Sequence, residues 1–253
     1  MANVFLKYFR RFLGVEKLIF HQEQLMERNF RMEQEILSAL KFNSTIADSK
    51  WFIYKSISPG DTAVDYAFFY TLYRVLSSIK PNNIIEFGLG QSSKMVHQYA
   101  SYFDKHAITV EHDKEWVDFF LQDREGEYKV NIEMLDLETI EYKGEKSITY
   151  KNCKEVFKGQ KFDLMIVDGP YGNIHGLKYS RPQIIELVQG NITEDFVIIV
   201  DDFGREGEKN TVNEVFDYFR QNGIDFVFHV FDKSSRKDHI LITTPRLKFL
   251  TTI

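Results

Sequence analysis

The chain divides into stretches with apolar residues at helical spacing and short, nearly continuous apolar runs. From 15 to 41, Leu18, Leu25, Met32 and Ala39 recur every seven residues, with Val15, Gln22, Asn29 and Ile36 as a companion series. This heptad seam with two polar positions predicts one long helix, either a dimerisation element or a helix lying across the rest of the chain. Ahead of it, Phe5, Leu6, Phe9, Phe12 and Leu13 fall near one helical face, with Lys7, Arg10 and Arg11 beside them. Such a face packs on its own domain or a second subunit, or rests on an anionic membrane surface.

Further on, a turn at Pro59-Gly60 precedes an apolar helix that stops before Pro81. Apolar runs at 84–87, 107–111, 130–134, 163–168 and 196–201 then read as strands, separated mostly by helices over 92–103, 113–122 and 181–189. A helix over 208–222 leads to late strands at 225–231 and 238–244. The alternation predicts an α/β protein with a mainly parallel seven-stranded sheet and helices on both faces. Residues 137–155 fit that pattern poorly and read as an excursion or β-ribbon. The expected organisation is a helical extension over 1–45 and a catalytic domain over 46–253.

Composition narrows the partners. The 253 residues suffice for one α/β domain, and 43% hydrophobic with 27% charged residues is ordinary for a globular chain. A net charge of −5 gives no general attraction to phosphate backbones, so nucleic acid is not expected as a partner. Cys153 is the only cysteine, which excludes an intrachain disulfide and a cysteine zinc cluster. No run approaches the roughly 20 apolar residues of a membrane span. The first residues interleave apolar and basic positions instead of separating them as a signal peptide does. A cytoplasmic protein is expected, with any membrane contact made by the N-terminal helix at the inner face.

The chemistry gathers at the strand ends, where open parallel sheets bind ligands. The first run ends in Glu86, Gly88 and Gly90, followed by Ser92 and Ser93; the second ends in Glu111 and His112. The fourth ends in Asp168-Gly169-Pro170 and the fifth in Asp201-Asp202. Glycines let the backbone turn sharply close to a ligand. An acid about twenty residues later suits ribose hydroxyls, so the pair fits a nucleoside cofactor. A dinucleotide site usually keeps the position of Glu86 uncharged and puts glycine where Ser93 stands. A carboxylate beside the turn instead suits a positively charged cofactor, S-adenosylmethionine.

The stretch Glu86-Phe-Gly-Leu-Gly-Gln-Ser-Ser93, followed by Val110-Glu-His-Asp113, resembles motif I and the second-strand acid of the Rossmann-like class I methyltransferases. With Asp168-Gly-Pro-Tyr171, Tyr179-Ser-Arg-Pro-Gln183 and Asp201-x-x-x-Arg205-x-x-Glu208 in that order, residues 80–220 resemble the sugar O-methyltransferases of polysaccharide biosynthesis. These include the glucuronoxylan 4-O-methyltransferase type and bacterial surface-polysaccharide relatives. The resemblance implies an enzyme methylating a capsular or surface sugar, or its precursor, with Gly88 and Gly90 at the methionine end and Glu111 on the ribose; the heptad seam adds the expectation of a homodimer. Glu86, Ser92, Ser93, His112, Asp136 and Asp168 complete the expected cofactor set, Asp136 toward the adenine amino group. Asp168, His175 and Asp202 are the catalytic candidates, and Tyr171, Arg181 and Arg205 the acceptor-binding ones. Asp168, Asp201 and Asp202 could hold Mg²⁺ or another divalent ion through oxygen ligands. Three readings compete: methylation of a non-sugar capsule substituent such as a phosphoramidate, a nicotinamide-dependent oxidoreductase, and a non-catalytic scaffold built on the heptad helix.

Overall fold

A computed structural model describes residues 8–9, 14–60, 63–171 and 176–252. Most of the amphipathic stretch at 1–13, and His175, lie outside the described residues. The heptad seam forms one helix of 32 residues, α1 (Val15–Ile46), about 48 Å long at 1.5 Å per residue. It continues past the expected end at 41, because Phe42 and Ile46 are buried against Phe52 and Phe69. The apolar helix α2 (Tyr66–Ile79) starts at Asp65, whose carboxylate accepts from Phe68 N at 3.0 Å. It stops at Lys80, in the left-handed conformation, just before Pro81.

The alternation then appears as read: β1 (Asn83–Phe87), α3 (Gln91–Phe103), β2 (His106–Glu111), α4 (Lys114–Asp123) and β3 (Ile132–Met134). Residues 137–150 form the expected ribbon, an antiparallel pair of β4 (Leu137–Tyr142) and β5 (Glu145–Tyr150), followed by the short α5 (Cys153–Val156). Next come β6 (Phe162–Val167), α6 (Gln183–Leu187), β7 (Ile192–Val200), α7 (Glu206–Gln221), β8 (Val227–Phe231) and β9 (His239–Thr243). A kinked 3₁₀ segment over Pro245–Thr252 closes the described chain.

The seven-stranded sheet has the order β3-β2-β1-β6-β7-β9-β8. Pairings from β3 through β7 are parallel, while β9 runs antiparallel to β7 and β8. The Rossmann-like fold expected from the alternation is therefore present. Strand periodicity splits the core into two apolar layers. Ile84, Leu164, Ile166, Val197 and Ile199 face α2 and α3; Ile85, Phe87, Met165, Val167, Ile198 and Val200 face α6 and α7. No described helix is long and apolar enough to cross a membrane.

Strand order reverses between β1 and β6, and the turns after them are pressed together. Gly88 has φ +93°, and a Cβ there would stand 3.1 Å from the backbone of both Asp168 and Gly169. At Gly169 a Cβ would meet Gly88 N and Cα at 2.8 Å and the Tyr150 hydroxyl at 2.7 Å. Both glycines are required by this close approach.

Candidate active site

A crevice of about 710 Å³ opens at this reversal, over the carboxyl ends of β1, β2, β6 and β7. Of the expected cofactor residues, Gly88, Gly90, Ser92, Glu111, His112 and Asp168 line it; so do Tyr171, Arg181, Asp202 and Arg205. Asp201 lies behind them, grouped with Asp168 and Asp202. Asp136 is exposed and does not line the crevice.

Glu86 is placed differently from the expectation that its carboxylate faces a positively charged ligand. Strand alternation turns it toward α3, under the glycine turn, where it is fully buried. One oxygen accepts from Ser92 Oγ at 2.7 Å and the other from Thr109 Oγ1 at 2.8 Å. Thr109 Oγ1 also lies 2.9 Å from His97 Nε2, so the buried imidazole joins the same hydrogen-bonded group. Burial pushes Glu86 up to about 7 and His97 down to about 3. Ser93 is also buried: its Oγ accepts from Gly90 N at 3.0 Å and caps α3. These polar groups pin the turn from below. Gly90 itself is extended, and a Cβ there would meet nothing within 4 Å, so the turn presents open backbone to the crevice.

Glu111 does reach the crevice. Oε1 accepts from His112 N at 2.7 Å and Asp113 N at 3.0 Å, while Oε2 accepts from Leu89 N at 2.9 Å. A carboxylate has about four acceptor sites, so one on Oε2 is left beside the glycine turn. Trp116 closes this side, its Nε1 donating to Leu89 O at 2.6 Å. The Tyr171 ring stands edge-on to His112 at 5.4 Å and is 54% exposed.

The other half of the crevice is acidic. Single oxygens of Asp168, Asp201 and Asp202 lie within 4.8 Å of one another. Burial raises Asp168, with Arg181 opposing the rise, and raises Asp201 well above the usual carboxylate range, with Asp168 and Asp202 adding to it. Among the described residues, neither oxygen of Asp201 accepts a hydrogen bond.

Arg181 was expected to clamp the acceptor; its surroundings do not leave it that role. Nε donates to Pro170 O at 3.3 Å, and Nη1 to Val167 O and Asp201 O at 3.2 and 2.9 Å. Nη2 donates to Asp168 Oδ1 and Asp202 Oδ2 at 3.2 and 3.0 Å. All five guanidinium protons are engaged, and the residue is 3% exposed. Arg181 is the strut of the site. Arg205 pairs with Asp202 at 2.8 Å and approaches the buried Glu208 at 3.6 Å. At 35% exposure it still forms part of the crevice wall.

Tyr150 and Lys237 are among the lining residues that the strand-end reading does not mark. Tyr150 arrives from the β4–β5 ribbon, packing its ring on Phe87 at 5.7 Å. Lys237, just before β9, brings Nζ to 3.5 Å from Asp201 Oδ2 and 3.6 Å from Asp202 Oδ1.

No protein-family model matches this chain, and no curated protein matches it. Among solved structures, it is similar to a Staphylococcus aureus protein assigned as a caffeoyl-CoA O-methyltransferase. That pair has 16% identity and a TM-score of 0.47, over 92% of this chain and 99% of the other. It is also similar to human methyltransferase-like protein 13 in complex with SAH, at 13% identity and TM-score 0.46, over 72% and 83% of the chains. The SAH-bound Podospora anserina methyltransferase PaMTH1 gives 12% and 0.45, over 80% and 96%. At these identities the likeness is one of fold alone.

Proposed function

We propose that this protein is an S-adenosylmethionine-dependent O-methyltransferase acting on a sugar hydroxyl of a surface polysaccharide or its precursor. The observation that carries the cofactor half is the remaining acceptor position on Glu111 beside the open turn at Gly90. A ribose hydroxyl fits that position, and a crevice of about 710 Å³ accommodates a ligand of nucleoside size. Asp168, the most open of the three grouped aspartates, supplies the negative charge that Glu86 does not present. The motifs carried by Asp168-Gly-Pro and Asp201-x-x-x-Arg205-x-x-Glu208 favour a sugar acceptor, and the exposed Tyr171 with Arg205 suits one bearing an anionic group.

When bound, the cofactor supplies an electrophilic methyl group on a sulfonium. The protein's task is to align the acceptor oxygen and take its proton. Alignment contributes about 7–11 kcal/mol and a positioned base about 10²–10⁴-fold. Asp168 is the base in this reading, because burial raises its proton affinity and it faces the crevice.

The test is calorimetric titration with S-adenosylhomocysteine and, separately, NAD. Micromolar binding of the first alone, lost by at least about tenfold in Glu111→Ala, supports the assignment. Binding of NAD alone would transfer the crevice to the oxidoreductase reading.

We also infer that α1 pairs with α1 of a second copy. At about 100° per residue, Arg31, Glu35, Ser38 and Phe42 turn toward their own domain. Leu18, Leu25, Met32, Ile36 and Leu40 lie on the other side and are 52–68% exposed. Parallel pairing in the heptad register sets Asn29 against Asn29 and Arg28 against Glu33 of the second chain. Light scattering should give a dimer that Leu18→Asp with Leu25→Asp converts to monomer. A wild-type monomer, or one that instead sediments with anionic vesicles, would reject this pairing.

A further inference from the structure

We propose that Lys237 is the built-in cation of the acceptor pocket, standing where a divalent ion would otherwise bridge Asp201 and Asp202. Beside the proton that burial keeps on Asp201, the ionised acids of this cluster favour positive charge nearby: two unit charges 4 Å apart repel by about 4 kcal/mol at an effective dielectric of 20. Either a metal or side chains can supply it. Here Arg181 spans Asp168 and Asp202, and the Lys237 ammonium faces Asp201 and Asp202. A divalent ion needs close oxygen ligands at roughly 2.0–2.6 Å and would have to enter beside an ammonium already 3.5 Å from Asp201. The two cations compete for one place.

The lysine is positioned from three directions. Its own N–H donates to Asp65 Oδ2 at 2.9 Å, tying it to the start of α2. The next residue, Asp238, accepts from Arg31 of α1 at 3.0 Å and from Lys233 N at 3.2 Å. Ser38 of α1 donates to Ser234 O at 2.9 Å, and Ser235 donates to Glu35. Lys237 is 15% exposed, so the ammonium is held between the acids and the crevice.

Resting on the methyltransferase reading, this placement gives Lys237 a chemical task. As the acceptor hydroxyl passes its proton to the Asp168 carboxylate, the ammonium stabilises the charge growing on oxygen. That oxygen forms the new bond to the methyl carbon, and the electron pair of the broken carbon–sulfur bond stays on sulfur. No metal is needed for the balance.

The test uses the full chain, titrated with Mn²⁺ and followed by electron paramagnetic resonance of the free ion, alongside S-adenosylhomocysteine calorimetry. Wild type and Lys237→Arg should leave Mn²⁺ free into the millimolar range. Lys237→Gln should bind one Mn²⁺ at least about tenfold more tightly, with unchanged S-adenosylhomocysteine affinity. Stoichiometric Mn²⁺ on wild type, or no gain in a folded Lys237→Gln, overturns the proposal. If Lys237→Gln does not fold, wild type and Lys237→Arg decide: Mn²⁺ bound by either overturns it, and by neither supports it. Failure of S-adenosylhomocysteine to bind any of them removes the cofactor reading while the Mn²⁺ result still reports on the cation.

Discussion

Replacing Arg181 by leucine should unfold much of what holds the site. The change removes five donors from Pro170 O, Val167 O, Asp201 O, Asp168 and Asp202, all near a residue only 3% exposed. Removing one partner of a buried ion pair costs about 3–5 kcal/mol, and each stranded buried carbonyl up to about 1–3 kcal/mol more before water relieves it. A loss of at least about 3 kcal/mol is therefore expected, against a total stability of roughly 5–15 kcal/mol. Arg181→Lys keeps the charge but offers three donors for five acceptors, so it should lose roughly 2 kcal/mol. Urea unfolding of both variants, read by circular dichroism, measures this directly. The reasoning is refuted if Arg181→Leu stays within about 1 kcal/mol of wild type while acceptor affinity collapses, since Arg181 would then be a binding residue.

Two further outcomes follow from the ground beneath the turn. Glu86 holds its proton up to about 7 in the fold but only to the ordinary 4.5 when unfolded, so between these values the folded state binds more protons and stability falls as pH rises. Glu86→Gln should flatten that part of the melting-temperature profile relative to wild type; parallel profiles would show that the carboxyl is ionised in the fold. Gly88→Ala should cost about 2–4 kcal/mol, from the left-handed backbone and a Cβ 3.1 Å from the Asp168 backbone, and should weaken S-adenosylhomocysteine binding; unchanged calorimetry and melting would mean that the two turns separate easily.

Much of the fold was legible because helices and buried parallel strands have different apolar periods, and the acids at the ends of β1, β2, β6 and β7 marked the ligand side of the sheet. What a strand-end reading does not give is side-chain direction. Glu86 and Glu111 both close a strand, yet alternation points one under the turn and the other into the crevice. Nor does it give occupancy: Arg181 looks like an anion clamp until its five protons are traced to partners. Lys237 was hidden for a topological reason. Because β9 is inserted antiparallel beside β7, it is the start of this strand, not its end, that lies with the acids.

The long N-terminal helix is anchored by its last turns, at Phe42 and Ile46, and grips the 234–238 loop through Arg31, Glu35 and Ser38. It is thus a lever with a fixed end, and the ammonium rides on the loop it grips. The residues that hold this loop against α1 therefore also hold the crevice's lysine in place.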